Sequence, residues 1–228
     1  MRCVIVQPSY IPWRGYFDLI RRADVFVFYD DVQYDKHGWR NRNRVKTPRG
    51  SQWLTIPVSS RGATHGLLIK DVQMHPETGW PRQHFETLRR LYEDAPHFDR
   101  FLPWLRKAYA DPPPLLADFT IATTIDIAGM LGITSTRFIR SSSLGIGGRR
   151  TERLVAICRA LGATEYLSGP SARDYIQPET FAAAGIDLQY IDYGYPEYPQ
   201  LYPPYDPFVT ILDLLFMTGD DAPRYMRG

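Results

Sequence analysis

Residues 39–49 read WRNRNRVKTPR, so that Arg40, Arg42, Arg44, Lys46 and Arg49 are interleaved with Asn41 and Asn43 and flanked by Trp39 and, further on, Trp53. Guanidinium forks grip carboxylate or phosphate through paired hydrogen bonds, and amides orient a ligand. On an extended backbone successive side chains alternate in direction. Arg40, Arg42 and Arg44 would then share one face, and Asn41 and Asn43 the other. Asp30, Asp31 and Gln33 stand just upstream, and paired carboxylates divide acid and base roles or hold a metal because like charges push their pKa values apart. An Asp at a strand end also caps the next element. His37 and His65 lie in polar loops, where an imidazole can act as a base. The set suits an anionic small molecule; a solvated basic face is the plain alternative.

Two other segments have suitable chemistry. In QPSYIPWRGYF, Gln7, Tyr10 and Tyr16 offer hydrogen bonds, Trp13 a stacking face, and Gly15 close backbone approach. A Pro/Gly turn with aromatic packing explains the same residues. In SSSLGIGGRRTE and YLSGPS, which holds Ser168 and Gly169, Ser and Gly precede helix starts, where backbone N–H groups can cradle an anion. Ordinary N-capping is the alternative there. Neither segment is a P-loop, GxGxxG is absent, and no GxSxG marks a nucleophile. No His or Cys stands at ligand spacing near the acidic pair, so no metal site is expected. His84 reads as packing on a helix face; His75 and His97, each beside a Pro, read as turn residues.

These side chains need a scaffold. Residues 2–6 and 25–29 are short apolar runs separated by a Pro/Gly loop and a short helix, which is a βαβ unit with parallel strands. Ligands of open α/β sheets sit beyond the carboxyl ends of the strands, so residues 7–16 and 30–33 are expected on one rim. Residues 53–58 and 67–72 read as a third and a fourth strand. Residues 81–109 and 115–131 are helical by their three- and four-residue apolar spacing. Residues 134–139, 165–167 and 188–191 read as strands, and 151–161, 179–184 and 208–217 as helices. Five Tyr among Pro residues make 193–207 a rigid loop. The expected fold is α/β and Rossmann-like (of the nucleotidyltransferase, or HUP-like, kind), a parallel sheet core with a mostly helical insertion. Residues 1–75 and 134–228 form the core domain and 76–133 the insertion, in a single continuous globular unit.

A net charge of +2 argues against a dedicated nucleic-acid binder. Cys3 and Cys158 lie in apolar segments, where a buried free thiol is the default, so a reducing cytoplasm is expected. No apolar run is long enough for a membrane span, and Gln7-Pro8 interrupts the first one where a signal sequence would continue.

Taken together, QPSYIPWRGYFDLI, DDVQYDKHGWRNRNRVKTPRGSQWLTIPV, TERLVAICRALGATEYLSGPSARDYI and PFVTILDLLFMTG resemble the WbqC-like family from residue 1 to about 219. That resemblance implies an association with bacterial surface-polysaccharide (O-antigen) gene clusters and transfer of glycyl or another aminoacyl group to a sugar. The motifs nominate Gln7, Tyr10, Trp13, Gly15, Tyr16, Asp31, Gln33, Trp39, Asn41, Arg42, Asn43, Glu152, Ser168 and Gly169. The opening segment also looks like the start of adenylyl-transferring nucleotidyltransferases and pantothenate-synthetase-type ligases, with Trp13 and Tyr16 where those carry the two His of H-x-G-H. The expected function is a transferase adding an aminoacyl or acyl group to a nucleotide-activated amino sugar. Arg40, Arg42 and Arg44 would bind the anion, Trp13 and Trp39 would stack, and Asp31, His37 or Tyr16 would serve catalysis. An ATP-dependent ligase and a non-catalytic sugar-nucleotide binder are the alternatives. No tightly bound cofactor is expected beyond a nucleotide or nucleotide-sugar ligand, and no nucleic acid other than an aminoacyl-tRNA donor.

Overall fold

A computed structural model describes every residue except 37, 60–65 and 228. Strands β1 (Arg2–Val6), β2 (Val25–Phe28), β5 (Arg137–Arg140), β6 (Glu165–Ser168) and β7 (Asp187–Tyr190) form one five-stranded sheet in the order β5-β2-β1-β6-β7. All four pairings are parallel. The chain builds outward from β1 through β2 to β5, then crosses back to lay β6 and β7 on the other side. This is a Rossmann-like order, and its topological switch lies between β1 and β6. There β1 pairs with β6 only at Arg2↔Glu165 and Cys3↔Tyr166, whereas β1 and β2 pair at four successive positions. The crevice therefore opens at the carboxyl ends of β1 and β6.

The alternation of residues sorts the two faces of the sheet. Val4, Phe26 and Phe28 enter one core, together with α1 (Arg14–Arg22), α2 (Trp80–Tyr92), α3 (Phe98–Ala110), α4 (Leu116–Met130) and α7 (Ile211–Thr218). Cys3, Ile5, Val25 and Val27 enter the other, beneath α5 (Arg150–Ala160) and α6 (Pro178–Ala183). A parallel sheet covered on both faces needs apolar strands throughout, which explains the unbroken runs CVIV and VFVF. Both thiols, Cys3 and Cys158, are free and fully buried in the second core. Leu88, Leu105 and Phe119 of the helical stretch join the same apolar cluster as Val4 and Phe26, and the Phe216 ring of α7 meets Phe98 edge-on at 5.2 Å.

Two strand expectations are corrected. Residues 67–72 do not form a strand: Ile69–Asp71 is a 3-10 turn, and Leu68 makes only an isolated bridge to Gln33. Ile69 and Val72 are both buried while Asp71 faces solvent, a three-residue period that suits a 3-10 turn rather than a strand. The expected strand at 53–58 begins earlier, as β4 (Gly50–Thr55). It pairs antiparallel with β3 (Arg42–Thr47) in a separate two-stranded sheet, not in the parallel one. The hairpin closes at Thr47, whose Oγ1 donates to the Gly50 carbonyl at 2.7 Å; Gly50 turns at φ 104°, open to glycine without strain.

Candidate functional site

A cavity of ≈ 1310 Å³ opens where the switch places it, past the carboxyl ends of β1 and β6. Gln7, Ser9, Trp13 and Tyr16 line one side, Ser168, Gly169, Asp174, Tyr175 and Gln177 another, and Trp39, Arg40, Asn43 and Arg44 of the hairpin region a third. Arg150 and Leu154 of α5, with Tyr193 and Phe208 from the C-terminal loop, complete the wall.

The loop after β1 is held from three directions. Tyr16 Oη donates to the Gln7 carbonyl at 3.1 Å, and Arg40 Nη1 donates to the same carbonyl at 3.1 Å and to Ser9 Oγ at 2.8 Å. Asn43 Nδ2 donates to the carbonyls of Tyr10 and Ile11, which carries Ile11 at φ 34°. The hairpin is thus fixed to the loop through its Asn face. In W-x-G, Gly15 leaves room for the Trp13 indole to fold back, because a Cβ at residue 15 would fall on that ring. Trp13 then meets Tyr193 edge-on at 4.9 Å and Phe208 at 5.5 Å. Arg14 holds this aromatic loop from below. Its guanidinium donates to Pro196 O, Tyr225 O and Tyr205 Oη and lies 4.9 Å from the centre of the Tyr195 ring.

The cavity is cationic. Arg40, Arg44 and Arg150 face it against one carboxylate, Asp174. Burial lowers the pKa of the Arg40 guanidinium, which Asp35 and the inward carbonyls partner. Arg44 shares its charge with Asp206 at 3.4 Å. Arg150 is exposed, has no hydrogen-bond or ion-pair partner among the described residues, and sits at φ 49° in the first turn of α5. Left-handed backbone at a residue with a Cβ is costly, and such strain gathers at functional sites. Burial raises the pKa of the Tyr16 hydroxyl, which stays protonated and acts as a donor.

Of the residues nominated by sequence, Gln7, Trp13, Tyr16, Trp39, Arg40, Asn43, Ser168 and Gly169 converge on this cavity. Tyr10 does not: its side chain is fully buried in the helical layer, its Oη 2.8 Å from His84 Nδ1 and 2.5 Å from Tyr109 Oη. Asn41 points inward, donating to the Ile56 carbonyl at 2.8 Å. Arg42 lies over the Trp53 ring at 4.5 Å, outside the cavity. Gln33 pairs with Leu68, and Glu152 is exposed in the first turn of α5. His37 and His65 lie outside the described residues.

The acidic pair is neutralised by neighbours. Asp30, fully buried, receives Arg140 Nε at 2.6 Å, Ser142 N at 3.0 Å and Ser142 Oγ at 2.9 Å. Asp31 receives Arg153 Nη2 at 2.5 Å and Ser141 Oγ at 2.5 Å. Ser141 and Ser142 therefore hold the protein's own carboxylates rather than an external anion. Asp31 does not line the cavity, whereas its neighbours Tyr29 and Val32 do. Among the described residues no group of three or more His, Cys, Asp or Glu is arranged to hold a metal ion.

Sequence reasoning passed over Arg150, Asp174, Tyr175, Gln177, Tyr193 and Phe208 as cavity residues. Arg150 stands two residues beyond the glycine-rich turn and ten beyond the end of β5, and Asp174 six beyond the end of β6, so nearness to a strand end does not mark them.

Fold and site together define a class: a Rossmann-like parallel α/β protein with a cation-lined, aromatic-walled cavity at its switch point. No solved structure matches the chain significantly. The chain belongs to the WbqC-like protein family, whose model matches residues 7–225. It is 42% identical to "Uncharacterized protein Rv1507c" of Mycobacterium tuberculosis over 228 residues, covering 99% of this chain and 97% of that protein. Among the described residues no helix is long and apolar enough to cross a membrane.

Proposed function

We propose that the chain is a transferase that adds a glycyl-type aminoacyl group, or another acyl group, to a nucleotide-activated amino sugar in surface-polysaccharide or glycosylated-metabolite biosynthesis. The observation that carries this reading is the pairing of Arg44 and Arg150 with the Trp13–Tyr193–Phe208 wall around one cavity. Guanidinium groups take a diphosphate, and aromatic faces take a base or sugar ring. A volume of ≈ 1310 Å³ exceeds that of ordinary drug-sized sites, about 300–1,000 Å³, and leaves room for donor and acceptor together. In the reaction the acceptor amine attacks the acyl carbonyl, a C–N bond forms, the bond to the donor's leaving group breaks, and the amine loses a proton. We assign proton uptake to Asp174, the carboxylate lining the cavity.

The second reading is an ATP-dependent, adenylate-forming ligase. It is favoured by the Gln7–Tyr16 segment, which contributes Gln7, Ser9, Trp13 and Tyr16 to the cavity and resembles the segment in which adenylyl-transferring enzymes carry H-x-G-H. Incubation with a nucleoside diphosphate amino sugar, an acyl or aminoacyl donor and ATP separates the two by mass spectrometry. Acylated nucleotide sugar without ATP consumption supports the transferase. Pyrophosphate release coupled to product supports the ligase, and no acylated sugar with any donor contradicts both.

A further inference from the structure

Among the described residues the exposed aromatic side chains are Trp39, Trp53, Tyr175 and Phe208, at 43%, 42%, 66% and 53% exposure. Three of them line the cavity, and the fourth, Trp53, packs on Trp39 with ring centroids 5.1 Å apart. Large aromatics left in water at one mouth mark a binding surface. This one is also cationic: Arg42 lies 4.5 Å over the Trp53 ring, and the Arg44 guanidinium is 6.0 Å from both indoles. Arg44 also reaches toward the Phe208 carbonyl at 3.5 Å, which links the indole pair to the opposite aromatic wall. The Trp39 backbone is fixed, because its carbonyl accepts the Tyr10 N–H at 3.2 Å and Arg40 beside it is bound to the loop after β1. An exposed ring on a fixed backbone loses little entropy on binding.

We propose that the rim built by Trp39, Trp53 and Phe208 is a stacking subsite for the nucleobase of a nucleoside diphosphate. The inference rests on the nucleotide-sugar reading above and adds an orientation to it. The base lies outward on the indole pair, the diphosphate spans Arg44 and Arg150, and the sugar points inward toward Gln7 and Ser168. An aliphatic acyl chain would gain nothing from guanidinium groups set among the rings. A flat base joined to an anion uses both. Stacking faces are common to every base, so the subsite tolerates more than one.

The test is calorimetry and intrinsic tryptophan fluorescence with uridine diphosphate, adenosine diphosphate and inorganic pyrophosphate. Both nucleotides are expected to quench fluorescence, and pyrophosphate to bind with little quenching. Trp39→Ala should weaken both nucleotides by about tenfold or more, as loss of one stacked base predicts, with pyrophosphate affinity within about twofold of wild type. Trp39→Phe should restore most of the loss, which separates stacking from misfolding. Nucleotides that bind Trp39→Ala as tightly as wild type would overturn the subsite while leaving the transferase reading intact. Failure of both nucleotides to bind the wild-type protein would overturn the subsite and that reading together.

Discussion

Asn43 donates from one amide nitrogen to two successive carbonyl oxygens, Tyr10 O at 3.1 Å and Ile11 O at 2.7 Å. That fork joins the antiparallel hairpin to the loop leaving β1, and so sets the width of the cavity. Asn43→Leu would leave both carbonyls buried without a donor, a loss of about 1–3 kcal/mol. Urea unfolding should show it, and nucleotide affinity should fall with it because Trp13 and Trp39 are carried on the two joined segments. Full stability with full affinity would mean that the fork does not set the site.

Arg150 is predicted to trade stability for binding. Its left-handed backbone costs about 1–2 kcal/mol for a residue with a Cβ, and glycine removes that penalty. Arg150→Gly should raise the unfolding free energy relative to Arg150→Ala while both variants lose affinity for a nucleoside diphosphate by about tenfold or more. Equal stability of the two variants would show that the backbone is not strained.

Asp31→Asn separates a scaffold role from a catalytic one. The Arg153–Asp31 pair is largely buried, and removing one partner of such a pair destabilises by about 3–5 kcal/mol. The expected outcome is a lowered unfolding midpoint, with kcat per folded molecule unchanged. A stable variant with kcat abolished would return Asp31 to the chemistry as a base.

Two buried groups act in opposite directions in acid. Burial raises the Asp213 carboxyl from 3.8 to about 6, against hydrogen bonds from Tyr92 at 2.9 Å and Gln200 at 3.0 Å. The folded state binds that proton more tightly, so its contribution to stability is lost as pH rises through about 6. Burial lowers His84 from 6.5 to about 4, so its contribution is full above 6.5 and lost as pH falls toward 4. Between those limits the slopes partly cancel. Asp213→Asn removes the first, and urea midpoints across this range should fall more steeply on acidification than in wild type. Parallel curves would show that Asp213 does not titrate in this window.

Much of the frame was legible because its strands are apolar on both faces. RCVIV and VFVFY declared β1 and β2, and the Pro/Gly break between them declared the loop that became one wall of the cavity. The run at 67–72 misled because its Leu, Ile and Val resemble a short strand, whereas burial of Ile69 and Val72 follows a three-residue period. Alternation of Arg and Asn in 40–44 was legible; which face lay inward was not. Two carbonyls left by the Gln7–Trp13 loop needed a neutral double donor, and that packs Asn43 inside while Arg42 lies on Trp53. Arg150, Asp174 and Phe208 reach the cavity only through the crossover from β5 to β6 and the return of the C-terminal loop, contacts across more than a hundred residues that no local pattern encodes.

Binding of an anionic nucleotide ligand in this cavity is read out by titration calorimetry of a nucleoside diphosphate amino sugar into wild type and the Arg44→Ala/Arg150→Ala double variant. Two charge-assisted hydrogen-bonding groups at about 1.5–3 kcal/mol each predict one salt-sensitive site in the wild type, weakened about a hundredfold or more in the double variant. Equal affinity in the two proteins, or no binding to the wild type, would contradict it.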